Sequence, residues 1–241
     1  MKALRFLRHP LIESAVLLIL LSLLYLRGID RIDFHRDESH WVATSAYFEA
    51  ALDADFIQPE WMTTNELSPG LKKWFRSKVP TGLGSLEPPN DTWGTNYFTL
   101  TQPPVARYII AIGRRLRGYT VQDLNPPWRF RVSDSENVAA GNMPSEGLLH
   151  SARATMAVVS IASGMILFTV VSASAGSTAG WIFIVLYAGS PYLLIHLRRA
   201  MGDPSLLLFT CLAMLTGMLA LHTWEKTRER TWPLFWLALM G

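Results

Sequence analysis

Cysteine is the scarcest residue type in this chain of 241 residues, which contains a single one, Cys211. One thiol excludes an internal disulfide and a cysteine-ligated metal site, and we expect Cys211 to be a small core side chain. Charged residues are also few, at 17% of the chain, compared with about 25% in soluble domains. Because the basic residues are not gathered into a patch, we expect no nucleic-acid partner.

The hydrophobic residues make up 50% of the chain and come in blocks rather than in alternation. Blocks of this kind are typical of a polytopic membrane protein. We therefore predict an all-α transmembrane helical bundle with juxtamembrane helices and long loops outside the cytoplasm. The predicted spans lie at about residues 11–26, 152–172, 179–195 and 204–221, with the start of a fifth at 232–241, and the extracytoplasmic region covers 28–150.

The flanking charges indicate the orientation. Lys2, Arg5 and Arg8 precede the first run, which places the N-terminus in the cytoplasm of a plasma (inner) membrane protein. The first run is too long for a signal-peptide core and lacks a small-residue cleavage site, so we interpret it as a retained anchor. The run at 232–241 is too short to cross, so we expect either a fragment of a larger enzyme or a second chain that completes the bundle.

Residues 31–41, RIDFHRDESHW, concentrate charge just after the first predicted span. Unpaired charge beside a bilayer is costly, which favours headgroup or metal-assisted chemistry for Asp37 and Glu38. A solvated loop that only fixes topology explains the cluster as well. Asp37 also suits the N-cap or first turn of a helix predicted from His40 to about Ala54.

The rest of the extracytoplasmic region contains one more amphipathic segment. Pro103 and Pro104 suit a helix that begins at the second proline, and its apolar part is too short to span, so we predict an interfacial helix over 102–113. The composition of the polar segments 57–97 and 118–150 indicates loops, the first of them either a binding loop or partly disordered. Counting crossings puts Asp203 on the same side as Asp37.

Four motifs in this order resemble the GT-C superfamily of membrane glycosyltransferases, in particular the protein-O-mannosyltransferase and aminoarabinose-transferase-like branch. An Asp-Glu pair follows the first span, and a Pro-Pro motif opens a juxtamembrane helix, with Gln102 where many relatives have His or Lys. An Ala-Arg-led span comes next, at Ala152-Arg153. A Ser-Pro pair at 190–191 and an Arg-to-Asp segment at 199–203 complete the order.

The resemblance implies an incomplete GT-C module that transfers a sugar from a polyprenyl-phosphate donor to a protein, lipid or glycan acceptor with inversion. Asp37 would be the general base, because one carboxylate must take the acceptor proton. Glu38 would orient Asp37 or, with Asp203, hold a divalent metal such as Mg or Mn. Some branches of the family act without a metal.

The remaining site residues would contact the substrate. Arg198 and Arg199 suit the lipid-linked phosphate, since a guanidinium grips two oxygens at once. Gln102 and His40 are further candidates for substrate contact. Each of these has a structural alternative: the arginines contact headgroups, His40 is interfacial or packed, and Asp203 caps the helix after it.

Two other functional classes stay open. A membrane-anchored binding or assembly subunit, or a truncated and inactive transferase, would use the long loops for a partner and the carboxylates for structure. A transporter is disfavoured, because the later spans carry no ionisable residue near their middle. We interpret Arg107 and Arg153 as packing or topology residues rather than catalysts.

Overall fold

The computed structural model describes residues 10–53, 77–78 and 104–227. Every regular element within these ranges is helical, which agrees with the predicted all-α class. The α-helices are α1 (Pro10–Leu26), α2 (Arg36–Thr44), α3 (Tyr47–Asp53), α4 (Pro104–Leu116), α5 (Asp134–Ala139), α6 (Glu146–Ala175), α7 (Ser177–Gly189), α8 (Pro191–His196) and α9 (Asp203–Thr227). Short 3-10 turns occupy Ile29–Arg31 and Val121–Asp123.

The chain divides into two compact units. The apolar-helix unit contains α1, the part of α6 from Ala157 onward, α7, α8 and α9. The polar unit contains Gly28–Met156 and the short segment Arg199–Gly202. Asp37, Glu38 and Arg199 therefore fall in the polar unit. Arg198 and Asp203 fall in the apolar-helix unit.

Within the described residues, three helices are long and apolar enough to cross a membrane: Leu11–Arg31, Glu146–Ala175 and Asp203–Trp224. They coincide with three of the predicted spans, 11–26, 152–172 and 204–221. Large apolar side chains on them remain exposed in the protein alone, among them Leu20, Leu23 and Leu206. These three candidate spans indicate association with a membrane.

The predicted span at 179–195 is wrong as a single helix. The chain forms α7, of 13 residues, and then α8, of 6 residues, with Ser190 between them. Ser190 caps α8 by accepting a hydrogen bond from the Leu193 N–H, and Pro191 follows as its first residue. Proline lacks an N–H and disfavours a helical residue before it, so α7 ends there. A helix of 13 residues rises only about 20 Å, less than the hydrocarbon core of about 30 Å.

In the polar unit, the helix predicted from His40 is two helices. α2 begins earlier, and His35 is its N-cap: the His35 ring Nδ1 accepts from the Asp37 N–H, and the Glu38 side chain accepts from the His35 N–H. Asp37 thus lies in the first turn, one of its two predicted structural positions. α2 ends at Thr44, where the Ser45 hydroxyl donates to the Val42 carbonyl and competes with helix continuation.

Helix α4 begins at the second proline, as predicted, and has an unusual distribution of polarity. Its buried side carries two arginines, Arg107 and Arg114, beside alanines and Ile110. Its exposed side carries Ile112 and Leu116 together with Arg115. The exposed apolar side chains suit an apolar surrounding, and the interfacial position of the helix stays a prediction.

The segment 118–150, predicted to be a loop, contains more structure than expected. It includes a 3-10 turn at Val121–Asp123, helix α5 and the first turns of α6. The α5 helix has a capping box, in which Ser133 accepts from the Glu136 N–H and Glu136 accepts from the Ser133 N–H. The predicted loop 57–97 lies almost wholly outside the described residues, as does the start of a span at 232–241.

Candidate functional site

The centre of the polar unit is a buried ion pair between Glu38 on α2 and Arg153 on α6. Glu38 is fully buried, and Arg153 is 2% exposed. The Arg153 Nε donates to Glu38 Oε1 at 2.8 Å, and its Nη2 donates to Oε2 at 2.7 Å. This is the two-bond fork that makes arginine–carboxylate pairs strong and directional.

Arg153 also holds the chain that leads into α2. Its Nη1 donates to the carbonyls of Ile29, at 3.1 Å, and Ile32, at 2.8 Å. Its Nη2 donates to the Asp33 carbonyl at 3.3 Å. Every N–H group of the guanidinium therefore has an acceptor, which offsets the cost of burying its charge.

Glu38 holds two further main-chain groups. Oε1 accepts from the Ala200 N–H at 3.0 Å, and Oε2 accepts from the His35 N–H at 3.0 Å. Each carboxylate oxygen thus accepts two hydrogen bonds, which fills the acceptor capacity of the group. The catalytic and metal-binding roles predicted for Glu38 do not fit this geometry, because no lone pair remains for a metal or a proton.

The short segment Arg199–Gly202 packs against α2. Besides the bond from Ala200 to Glu38, a Cβ atom placed on Gly202 would lie 2.9 Å from the Trp41 ring. Only a glycine permits this approach without a shift of the ring.

Asp37 differs from its neighbour Glu38 in exposure. Its side chain is 42% exposed, and one carboxylate oxygen lies 3.7 Å from the His35 Nδ1. Within the described residues, no arginine or lysine forms an ion pair with it. Asp37 therefore offers an accessible carboxylate at the end of a well-anchored helix.

The two predicted phosphate-binding arginines differ in the same way. The Arg198 Nε donates to the Tyr25 carbonyl at 2.9 Å, and its Nη2 donates to the Arg27 carbonyl. These carbonyls end α1, so Arg198 caps that helix and is buried there. Arg199, by contrast, has a buried Nε with no hydrogen-bond partner in the described part of the chain.

His40 lies in the interior, which agrees with its structural alternative. Burial and the positive charge of nearby Arg107 lower the pKa of His40 to about 4, so it is neutral at pH 7. Burial also lowers the pKa of Arg107, to about 10, and this residue remains a cation. The Arg107 guanidinium lies 5.1 Å from the centre of the Trp41 ring. A neutral, buried imidazole is a poor candidate for the substrate contact predicted for His40.

Two predicted site residues remain, Asp203 and Gln102. Asp203 is exposed at the first residue of α9, and Gln102 lies outside the described residues. Among residues 10–53, 77–78 and 104–227, no group of three or more His, Cys, Asp or Glu side chains is placed to hold a metal ion. The divalent metal and the approach of Asp203 to Asp37 stay predictions.

A cavity of about 650 Å³ opens beside the ion pair. Its wall includes Asp33, Glu146 and the Arg153 side chain. At its edge the His150 Nδ1 lies 2.6 Å from the Asp30 carboxylate. Arg153 thus both lines the cavity and binds Glu38 on the helix that carries Asp37.

The sequence indicated Arg153 only as a packing residue, and it is buried as such a residue should be. Its partner was not predicted, although a signal existed: an arginine at the start of an apolar helix requires a carboxylate or several carbonyls. The hydrogen bond from Ala200 to Glu38 had no signal in the sequence, because its donor is a main-chain N–H, which every residue except proline has. Similarly, Ser39 donates to the Asn142 carbonyl and accepts from the Asn125 side chain through contacts that no motif announces.

The function of this site has to be inferred from its own residues. Neither a protein-family model, nor a curated protein, nor a solved structure matches this chain. The accessible carboxylate of Asp37, the unsatisfied Nε of Arg199 and the buried pair of Glu38 and Arg153 are the observations from which the inference starts.

Proposed function

We propose that this protein is a polytopic membrane glycosyltransferase that transfers a sugar from a polyprenyl-phosphate donor outside the cytoplasm. The observation that carries the proposal is the hydrogen bond between Glu38 and Ala200. Glu38 is the neighbour of Asp37, and Ala200 is the neighbour of Arg199. One buried bond thus links the helix that carries an accessible carboxylate to the segment that carries Arg199, whose buried Nε has no hydrogen-bond partner in the described residues.

The reaction uses these two groups in complementary roles. The acceptor oxygen attacks the anomeric carbon, and Asp37 takes its proton as the bond forms. The bond between that carbon and the phosphate oxygen breaks, and the electron pair leaves with the polyprenyl phosphate. Arg199 stabilises the charge on the leaving phosphate through a fork of two hydrogen bonds. Attack from the opposite side inverts the anomeric centre.

The lipid nature of the donor is supported by the surroundings of the site. Three helices are candidates for crossing a membrane, and α4 exposes Ile112 and Leu116 while it buries Arg107 and Arg114. A polyprenyl chain would lie in the bilayer with its phosphate at the surface, where interfacial helices lie. The order of motifs that resembles the GT-C superfamily supports the same reaction class.

A non-catalytic binding or assembly subunit is the second candidate. The observation that favours it is that Glu38 is used entirely for structure, so that Asp37 is the one accessible carboxylate of the Asp37-Glu38 pair. In this alternative, the cavity beside Arg153 would contact a partner and Asp37 would be a surface residue. The two candidates differ in whether neutralising Asp37 affects sugar transfer.

The test is Asp37→Asn in the full-length protein, assayed for transfer from a polyprenyl-phosphate sugar in nanodiscs. Asparagine keeps the shape but cannot take a proton, so we expect a loss of about 10²–10⁴-fold in rate. His35, not Asp37, caps α2, so the thermal unfolding temperature should stay unchanged.

Asp134→Asn is the matched control, because Asp134 is an exposed carboxylate of the same unit that pairs with Arg36. It should keep full transfer activity. Full activity of the Asp37 variant would remove the general base and favour the assembly subunit.

A further inference from the structure

We infer that Glu38 and Arg153 form a positioning clamp that sets the placement of Arg199 relative to Asp37. The catalytic meaning of this clamp rests on the proposed function. Its structural role does not rest on that function, because the clamp predicts how narrowly the distance between α2 and Arg199–Gly202 is distributed. That distance can be measured without an activity assay. Glu38 is thereby a positioning residue and not a base or a metal ligand.

Three separate pieces of chain meet at the pair. Arg153 binds the carbonyls of Ile29, Ile32 and Asp33, which lead into α2. Glu38 belongs to α2 itself and closes the capping box with His35. Its Oε1 accepts from the Ala200 N–H. Both sides of the proposed reaction centre are therefore attached to one fully satisfied ion pair.

A buried ion pair is a poor way to gain stability but a good way to fix geometry. Replacing such a pair with apolar side chains of similar volume is often neutral for folding, because both charges lose their hydration on burial. A fork of directional hydrogen bonds, however, admits one orientation, whereas an apolar contact tolerates sliding. The hydrogen bonds around Glu38 are thus better explained by the need to fix the position of Arg199–Gly202 relative to α2 than by a gain in folding stability.

The segment held by the clamp makes two described contacts with α2. It is four residues long, Arg199–Gly202, and it belongs to the polar unit. Gly202 contacts the Trp41 ring, a contact that limits approach but leaves movement along the ring possible. The hydrogen bond from the Ala200 N–H to Glu38 restrains that movement. A shift of about 1 Å in a reacting group costs about 10²-fold in rate.

The first experiment is the double substitution Glu38→Gln with Arg153→Met, measured for stability and for transfer. Removing both charges together avoids an unpaired buried charge, so the variant should remain folded in detergent. We expect kcat/KM for a polyprenyl-phosphate sugar to fall about 10²-fold, with part of the loss in kcat. A variant that is folded and keeps wild-type kcat and KM would overturn the clamp.

The matched control is Glu49→Gln with Arg114→Met. This pair lies in the same unit, with Arg114 buried and Glu49 partly buried, but it joins α3 to α4 and makes no described contact with Arg199–Gly202. It should affect unfolding in a similar way and leave kcat unchanged. An equal loss of kcat in the control would show that any disturbed ion pair has this effect, and it would overturn a specific positioning role.

The second experiment measures placement directly. Spin labels at Arg36→Cys and Met201→Cys, in a Cys211→Ala background, report the distance between α2 and the short segment. The Glu38/Arg153 double variant should broaden the distribution, and the Glu49/Arg114 variant should not. An unchanged distribution would overturn the clamp. If the wild type shows no transfer, the proposed function fails, and the distances still decide on the clamp.

Discussion

Arg153 and Arg198 are buried arginines in different units, and their surroundings differ in one respect. Both donate to main-chain carbonyls near the end of the first helix: Arg198 to Tyr25 and Arg27, Arg153 to Ile29, Ile32 and Asp33. Arg153 in addition forks onto a carboxylate that itself binds a distant segment. Arg198 thus completes a helix end, whereas Arg153 connects parts of a site.

The position of an arginine at a span end therefore does not decide its role. The two adjacent arginines after α8 differ in role for the same reason: Arg198 is structural, and Arg199 has the proposed ligand-binding role. Arg198 is committed to carbonyls, and Arg199 retains an Nε without a partner in the described residues. The acceptors available within hydrogen-bond reach decide which arginine can still meet a ligand.

The largest expected effect is that of Arg153→Met alone. It leaves the Glu38 charge buried without its partner, so we expect a loss of about 3–5 kcal/mol in the free energy of unfolding. Chemical denaturation in detergent measures it. Adding Glu38→Gln should restore most of the loss, and Arg115→Met, at an exposed arginine, is the control. If Arg153→Met leaves the free energy of unfolding unchanged, the contrast between Arg153 and Arg198 is contradicted.

The next effect is a pH dependence that arises in the polar unit. The pKa of His40 is lowered from 6.5 to about 4 by burial and Arg107. Unfolding therefore takes up a proton between these pH values, and stability falls as the pH drops from 6.5 to 4. The loss reaches about 3 kcal/mol and is constant below that range. Unfolding measured across this range in wild type and His40→Gln tests it. An unchanged slope in the variant would contradict it.

A smaller effect is expected for Arg198→Met. It removes hydrogen bonds to the carbonyls that end α1, so stability should fall by about 1–3 kcal/mol. The KM for the donor should stay the same, because Arg198 is committed to those carbonyls. A large rise in KM with unchanged stability would return Arg198 to the phosphate-binding role.

The smallest effect concerns Arg199→Lys. Lysine keeps the charge but replaces the planar fork with a point charge, so donor binding should weaken by about tenfold while stability remains unchanged. Titration of the KM for a polyprenyl-phosphate sugar measures it, beside Arg198→Lys as the control. Equal KM values for both variants would remove the distinction between the two arginines.

Local sequence features predict the helices well where the chain carries strong signals. The first span, predicted at 11–26, agrees with α1 at Pro10–Leu26, and α4 begins at the predicted proline. The breaks at Ser45 and Ser190 were not predicted, and at each of them one hydroxyl competes with or caps the main chain. Hydrophobic runs continue across both breaks, so periodicity alone does not reveal them.

The helical class, the three apolar helices and the presence of paired carboxylates follow from the amino-acid sequence alone, because they depend on neighbours in the chain. Which of the two carboxylates is accessible depends instead on the fold. Glu38 and Asp37 are adjacent, yet Glu38 meets Arg153 across 115 residues and Ala200 across 162. The free energy of burying a carboxylate depends here on partners that are distant in the sequence, so no local motif indicates it. This free energy separates a structural carboxylate from a reactive one.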